Sequence, residues 1–314
     1  MKAIILKDFG GVENLVAAEL DTPSINADEV LVSIKSISIN PIDVKTRAGK
    51  GVAPILKEEQ PIILGWDISG IIEGIGSAVT ALKLGDEVFG TIAFPNAGKA
   101  YASYVAAPAS ELVIKPSNIT HDEAAAATLA ALTAWQALSN HRSLHKGDRV
   151  LIHAASGGVG HYAIQIAKHL GAYIIGTSSI QNKDFVLSLG ADEHIDYKAG
   201  PFQNSVKEID FVLDTIGGDN IDASLLVMKT GGTIVSIPSG LNEQVVEKAK
   251  ASGKHGYTMK MKPSGYDMKI IADFLGKGII KSHVSKTFSF DQMAEAHLQL
   301  ESGRTVGKVT LTPD

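Results

Sequence analysis

The stretch "HAASGGVG", residues 153–160, sits between the apolar run "RVLI" (149–152) and "HYAIQIAKHLGAYIIGTSS" (161–179). The run ahead of it reads as a short strand opened by the turn "KGD" at residues 146–148. Behind it, Ala163, Ile166, Ala167 and Leu170 fall at helical i, i+3, i+4, i+7 spacing, and Gly171 stands where a helix C-cap belongs. "AYIIGT" then resumes a strand, so residues 149–177 make a β-α-β unit of the length a parallel sheet requires. Against the pattern G-x-G-x-x-G, "ASGGVG" keeps Gly157 and Gly160 as second and third glycines and has Ala155 in place of the first. In a dinucleotide site Gly157 lets a pyrophosphate approach the backbone and Gly160 lets helix and strand pack closely. Ser156, Gly157, Gly158, Val159 and Gly160 are then the expected phosphate contacts. A tight structural turn would use the same glycines; the strand and helix on either side favour the dinucleotide.

The end of the next strand decides which dinucleotide. An NAD site carries an acid there, about 20 residues past the glycines, for the ribose 2′-hydroxyl. Here the sequence is "GTSSIQNK": Thr177, Ser178 and Ser179 offer hydroxyls, Lys183 offers a cation, and no acid occurs before Asp184. That set suits a 2′-phosphate, so NADPH is the expected cofactor. The same residues would also serve as a polar loop, with Ser179 as an N-cap and Lys183 solvated. Further strands are expected at "DFVLDT" (210–215), "GTIVSI" (232–237) and "GYTMKM" (256–261), with helices around 219–228 and 264–277. The result is a doubly wound parallel sheet. The strand ends bearing Ile216, Gly217, Ile237 and Pro238 should line the cofactor crevice, and Tyr197 in "HIDYK" could cover an adenine or pack on the surface.

The first 120 residues read differently. "EVLVSIKSISI", "IILGWDISGIIEGIG" and "DEVFGTIA" alternate between Gly, Pro and Asp turns, as in an antiparallel β domain. Thr120 and Glu123 form a capping box ahead of an alanine-rich helix that marks the boundary. After about residue 280, "HVSKTFSF" and "GKVTLT" return to strand character, so residues 279–314 are expected to complete the first domain.

Composition narrows the function. The chain has 314 residues, 45% of them hydrophobic, a net charge of −5 and no dense Lys/Arg block, which disfavours nucleic acid or an anionic membrane as partner. The start "MKAIILKDFG" is too short an apolar stretch for a secretion signal, and no run of about 18 apolar residues follows, so a cytoplasmic location is expected. There is no cysteine, which excludes disulfides, thiolate nucleophiles and thiolate zinc sites. His141 and His145 in "HRSLH" lack an adjacent carboxylate, and no G-x-S-x-G elbow occurs.

Six ordered stretches, "SISINPIDVKTRAG", "ILGWDISGIIEGIG", "LKLGDEVFG", "LTAWQAL", "GDRVLIHAASGGVGHYAIQIAKHLGA" and "GRTVGKVTL", resemble the zinc-independent quinone oxidoreductase branch of the medium-chain dehydrogenase/reductase family, close to the enone oxidoreductases. The resemblance implies an α/β protein: a GroES-like catalytic domain (1–120 and 279–314), a Rossmann NADPH-binding domain (121–278), a cleft between them and a homodimer. Zinc-dependent relatives have cysteine where this chain has Asn40, and histidine where it has Trp66, so no metal is expected. The implied reaction is hydride transfer from NADPH to a quinone or to the C=C bond of an α,β-unsaturated ketone. Read locally, "NPIDVK" is a short helix with Asn40 as N-cap, Pro41 at N1 and an Asp43/Arg47 pair. The resemblance places it beside the nicotinamide, making Lys45 a cofactor and substrate contact and candidate proton donor. It adds Asn40 as a second catalytic candidate and Thr133 as a nicotinamide contact. A non-catalytic NADPH-binding protein and an enoyl-CoA-type reductase are the alternatives.

Overall fold

The computed structural model of the chain describes residues 1–313. It opens with β1 (Lys2–Leu6), β2 (Leu15–Glu19), β3 (Glu29–Ile39), α1 (Pro41–Arg47) and α2 (Ala53–Leu56). Next come β4 (Ile62–Ile63), β5 (Asp67–Ile75), β6 (Glu87–Thr91), β7 (Tyr104–Pro108), β8 (Val113–Ile114), α3 (His121–Ala126) and α4 (Leu129–Ser139). The middle alternates: β9 (Arg149–Ile152), α5 (Gly160–His169), β10 (Tyr173–Ser178), α6 (Lys183–Ser188), β11 (Glu193–Asp196), β12 (Ile209–Asp214), α7 (Asp219–Val227), β13 (Met228–Ser236), α8 (Val245–Ala251) and β14 (His255–Thr258). α9 (Gly265–Gly276), β15 (Val284–Ser289), α10 (Met293–Glu301) and β16 (Lys308–Thr312) close the described chain.

Contacts divide these elements into two units, Met1–Leu132 together with the residues from Lys262 onward, and Thr133–Met261. The division falls at 132/133 and 261/262 rather than at the expected 120/121 and 278/279. The reason is visible in two helices. α3 buries Ala124, Ala125 and Ala126 and packs on β3, β5 and β16, where small side chains let a helix lie close on a sheet. α9 packs against β8.

The second unit holds one parallel sheet of order β11-β10-β9-β12-β13-β14. The order reverses between β9 and β12, the place where open α/β sheets bind ligands outside the strand ends. α5 begins at Gly160 and ends at His169, with Leu170 as its C-cap and Gly171 beyond it at φ +86°. The apolar strands β9, β10, β12 and β13 are buried on both faces, as helices on each side of a parallel sheet require.

The first unit has a three-stranded sheet, β2-β1-β4, and a larger one ordered β15-β16-β3-β5-β6-β8, with β7 also on β3. β3 is its axis: Val30, Val32, Ile34, Ile37 and Ile39 are core residues, and its register against β5 shifts twice. β16 pairs antiparallel with β3, Val309 opposite Ile39, and so brings the last strand into the first sheet. The antiparallel reading has one exception, since β15 and β16 run parallel. No helix among the described residues is long and apolar enough to cross a membrane.

Candidate active site

In the parallel sheet the loops after β9, β10, β12 and β13 leave from one edge, because Ile152 lies level with Gly176 and Leu213, and Asp214 with Ser236. The glycine turn follows β9. A Cβ on Gly160 would stand 2.3 Å from the Ala154 carbonyl oxygen and 2.8 Å from Ala155 Cα, so only glycine lets the helix start this close to the strand end. Gly157 donates to the Ala154 carbonyl at 2.9 Å, and its own carbonyl lies 2.9 Å from His161 Nδ1. With that carbonyl engaged by the helix, the N–H groups of Gly158 and Val159 have no partner among the described residues. Unpaired N–H groups at a helix start are what an anion such as a pyrophosphate would need. Ser156 is nearly buried, and its hydroxyl accepts from Asn182 Nδ2 at 3.0 Å, which joins this turn to the loop after β10.

Two buried groups brace the edge from below. Asp214 accepts from the backbone N–H of Ile216 (3.1 Å) and Gly217 (3.0 Å), from Asn220 Nδ2 (2.9 Å) and from the Ser236 hydroxyl (2.5 Å). Its own carbonyl takes Ile237 N–H at 3.0 Å. One carboxylate thus fixes both loops carrying Ile216, Gly217, Ile237 and Pro238; Ile216 is exposed and Pro238 half-buried. His153 bridges Thr177 (3.0 Å) and Ser224 (2.9 Å). Burial pushes its imidazole down to about 4 against the pull of Asp214, so the ring is neutral near pH 7. Ser224 gives its proton to the Asn220 carbonyl, so His153 Nε2 donates to Ser224 and Nδ1 accepts from Thr177.

That pairing alters the reading of the 2′-phosphate group. Thr177 is buried and its hydroxyl proton is committed to His153, so it supports the strand end from inside. Ser178 is also nearly buried, with its hydroxyl 2.8 Å from His194 Nε2. Ser179 is half-buried at the N-cap of a short 3-10 turn but makes no side-chain cap bond. Lys183 is exposed. Tyr197 is 55% exposed, with Lys198 Nζ 5.9 Å from its ring centre.

In the first unit α1 starts as its sequence suggested, with Asn40 N–H donating to Asp43 Oδ2 at 2.9 Å and Pro41 at N1. The Asp43/Arg47 pair does not form. Arg47 reaches Glu301 of α10 (2.5 Å) and the Gly10 carbonyl (3.1 Å), while Asp43 accepts from the Tyr101 hydroxyl at 3.0 Å, itself 2.9 Å from His297 Nε2. Both side chains are buried, where an exposed i, i+4 pairing rule does not apply. Burial, with Asp67 nearby, pushes the Asp43 carboxyl up to about 7.

Asn40 is 2% exposed and both ends of its amide are used. Its Nδ2 donates to Asp67 Oδ2 at 2.7 Å, and its Oδ1 accepts from the buried Lys308 ammonium, which also donates to the Ile39 carbonyl at 2.8 Å. Asp67 accepts further from Thr91 (2.6 Å) and Leu129 N–H (3.2 Å). Asn40 therefore links two buried charges, with its amide nitrogen and oxygen each engaged inside the protein. Lys45, on the same helix, is half-buried, and Thr133, on α4, is 6% exposed.

These residues also answer whether a zinc ion fits. Trp66 offers no ligand atom: it is fully buried, donates to the Asn96 carbonyl at 2.7 Å and meets Phe94 edge-on at 5.5 Å. Asn40 and Asp67 are locked to each other, and the positive charge beside them is already Lys308. The donor set does not fit a metal. His153, His161, His194, Asp214, Asp67 and Lys308 are the site-building residues that sequence reasoning passed over. Only His161, four residues after Gly157 at the start of the helix, carried a local signal.

Comparison with known proteins agrees with this architecture. Residues 26–117 match the family described as alcohol dehydrogenase GroES-like domain, and residues 189–311 that described as zinc-binding dehydrogenase. The chain is 32% identical over 323 residues to 2-methylene-furan-3-one reductase of Solanum lycopersicum, covering all of this chain and 79% of the relative. It superposes on the quinone oxidoreductase from Coxiella burnetii with a TM-score of 0.96 at 35% identity, covering 100% and 99% of the two chains. Against Escherichia coli quinone oxidoreductase complexed with NADPH the TM-score is 0.88 at 28% identity, with full coverage of both. With its GroES-like part, its six-stranded Rossmann sheet and a donor set that does not fit a metal, the chain belongs to the zinc-independent quinone oxidoreductase-like branch of the medium-chain dehydrogenase/reductase family of NAD(P)H oxidoreductases.

Proposed function

We propose that this oxidoreductase uses NADPH to reduce quinones or the C=C bond of α,β-unsaturated ketones. The observation that carries the reading is the end of β10, where Ser178, Ser179 and Lys183 stand and no acid occurs before Asp184. A carboxylate there would bind a ribose diol and repel a phosphate; hydroxyls and an ammonium do the reverse. The names of relatives, among them a furanone reductase and a quinone oxidoreductase complexed with NADPH, support the same direction. When bound, NADPH would supply hydride.

The chain's own part is positioning and charge. Gly158 and Val159 N–H groups hold the pyrophosphate, while Asp214 fixes the loops of Gly217 and Ile237 so that the cofactor meets preset surfaces. Alcohol oxidation needs a metal or base to form an alkoxide, and Asn40 and Trp66 stand here at the positions that the resemblance matches to zinc ligands. A conjugated acceptor needs neither. It needs a donor for the enolate oxygen or ring oxygen that becomes negative, and Lys45 is the residue we assign to that role. Asn40, bound to both Asp67 and Lys308, ties the start of α1 to these buried groups.

The test is NADPH consumption with a panel of small enones and quinones, beside NADP⁺ reduction with saturated alcohols. Enones or quinones should turn over and alcohols should not. Lys45→Ala and Lys45→Met should each lower turnover up to about 10² to 10³-fold while the protein stays folded. Full activity in both variants would remove Lys45 from the reaction. Tight NADPH binding with no acceptor reduced would make this a non-catalytic NADPH-binding protein.

A further inference from the structure

We infer that Tyr101 and His297 are positioning residues of the reaction: the chain they form with Asp43 fixes the rotation of α1, and with it the place of Lys45. The inference rests on the role assigned above to Lys45 and adds to it the residues that aim that side chain. α1 has seven residues, and its buried side chains, Asp43, Thr46 and Arg47, are all polar. Ile42 and Val44 are only half-buried, as is Lys45 itself. Apolar packing therefore contributes little to holding this helix, and directional bonds do most of it. The three buried residues stand at i, i+3 and i+4 and share a face, while at roughly 100° per residue Lys45 lies on the side away from them. A turn of α1 about its axis moves the anchors and the ammonium together.

The anchoring chain runs in one direction. Tyr101 is fully buried and donates to Asp43 Oδ1 at 3.0 Å, and its oxygen lies 2.9 Å from His297 Nε2 on α10. Burial, and then the Asp43 charge, hold the phenol well above its usual range, so it keeps its proton. Burial, and then the Arg47 charge, push the His297 imidazole down to about 3, so the neutral ring donates from Nε2 to the Tyr101 oxygen. His297 Nδ1 makes no hydrogen bond among the described residues, which leaves Tyr101 to orient the ring. Asp43 Oδ2 is taken by Asn40 N–H. Four residues after His297, on the same face of α10, Glu301 receives Arg47 Nη2, and Arg47 Nε reaches the Gly10 carbonyl. α1 is thus pinned near its start through Tyr101 and at its last residue through Glu301. Without the Tyr101 hydroxyl, Asp43 is one donor short and His297 Nε2–H has no acceptor, so the helix position that satisfied both is no longer favoured.

A double-mutant cycle tests this: kcat and KM of Tyr101→Phe, Lys45→Met and the double variant, at saturating NADPH, with an enone or quinone that the wild type reduces. Phenylalanine keeps the ring and removes only the hydroxyl. Tyr101→Phe should lower kcat by about tenfold, as a small displacement of an oriented group does, with KM for the acceptor and Kd for NADPH little moved. In the Lys45→Met background the same substitution should lower kcat no further. His297→Gln, which can still donate to the tyrosine oxygen, should keep more turnover than His297→Leu, and this pair carries the same cycle if Tyr101→Phe does not fold. Equal losses in both backgrounds overturn the inference, because the hydroxyl then acts on the fold rather than through Lys45; so does full kcat in Tyr101→Phe. Full kcat in Lys45→Met, or a wild type that reduces no acceptor, overturns the reading of Lys45 and this inference with it.

Discussion

Replacing Lys308 by methionine isolates what the buried cation contributes. Methionine retains most of the side-chain volume, so packing changes little and the loss is electrostatic. Three groups are then stranded: the Ile39 carbonyl and Asn40 Oδ1 lose their donor, and Asp67 loses the positive charge beside it. Burial already pushes the Asp67 carboxyl up and the Lys308 ammonium down, and the charge of each opposes the shift of the other. Removing one partner of a buried pair costs about 3–5 kcal/mol. For a unit of this size that lowers the midpoint of thermal unfolding, followed by circular dichroism, by roughly 6 to 20 °C. The double variant Lys308→Met/Asp67→Asn removes both charges, and it should recover more than half of the loss because an amide still accepts from Thr91. A single variant within about 1 kcal/mol of wild type, or a double variant as unstable as the single, would refute the reasoning.

Asp43 makes stability depend on pH: its carboxyl titrates near 3.8 unfolded and about 7 folded. The folded state holds that proton longer, so stability should fall between about pH 4 and 7 and then level off, and urea midpoints at pH 5 and 8 should differ less in Asp43→Asn. Gly160→Ala drives a methyl group to 2.3 Å from the Ala154 carbonyl, and it should cost about 1–3 kcal/mol and weaken NADPH binding in a fluorescence titration. Elemental analysis of the purified protein should find no stoichiometric zinc, and chelators should leave turnover unchanged; a bound zinc with chelator-sensitive activity would mean that Asn40 and Asp67 release each other.

Much of the fold was legible in local pattern. The glycine turn between "RVLI" and a helix-spaced run fixed the first β-α-β unit within a residue, and Thr120 with Glu123 makes the capping box its spacing announced. Periodicity records which face a residue buries, and that suffices for strands such as β3. It does not record which polar groups meet in the interior. Asn40, Asp67 and Lys308 are widely separated in sequence, and nothing local in "GKVTL" distinguishes a buried ammonium from a solvated one. Arg47 shows the same limit: helical spacing pairs it with Asp43, whereas packing gives it Glu301. Thr177 and Ser178 lie in a strand whose alternation says only that a side chain is inside or outside. Whether each hydroxyl faces a ligand or a histidine is settled by the neighbouring strand.

The insertion of β16 against β3 has a consequence for how the chain is made. Residues 133–261 are contiguous, so their sheet can close as soon as they leave the ribosome. The other unit cannot, because its central strand waits for a partner that lies beyond that whole segment. Successive domains ordinarily fold in the order of synthesis. Here the order is inverted: the middle finishes first, while Asn40 and Asp67, synthesised early, remain without their cation until residue 308 has been added.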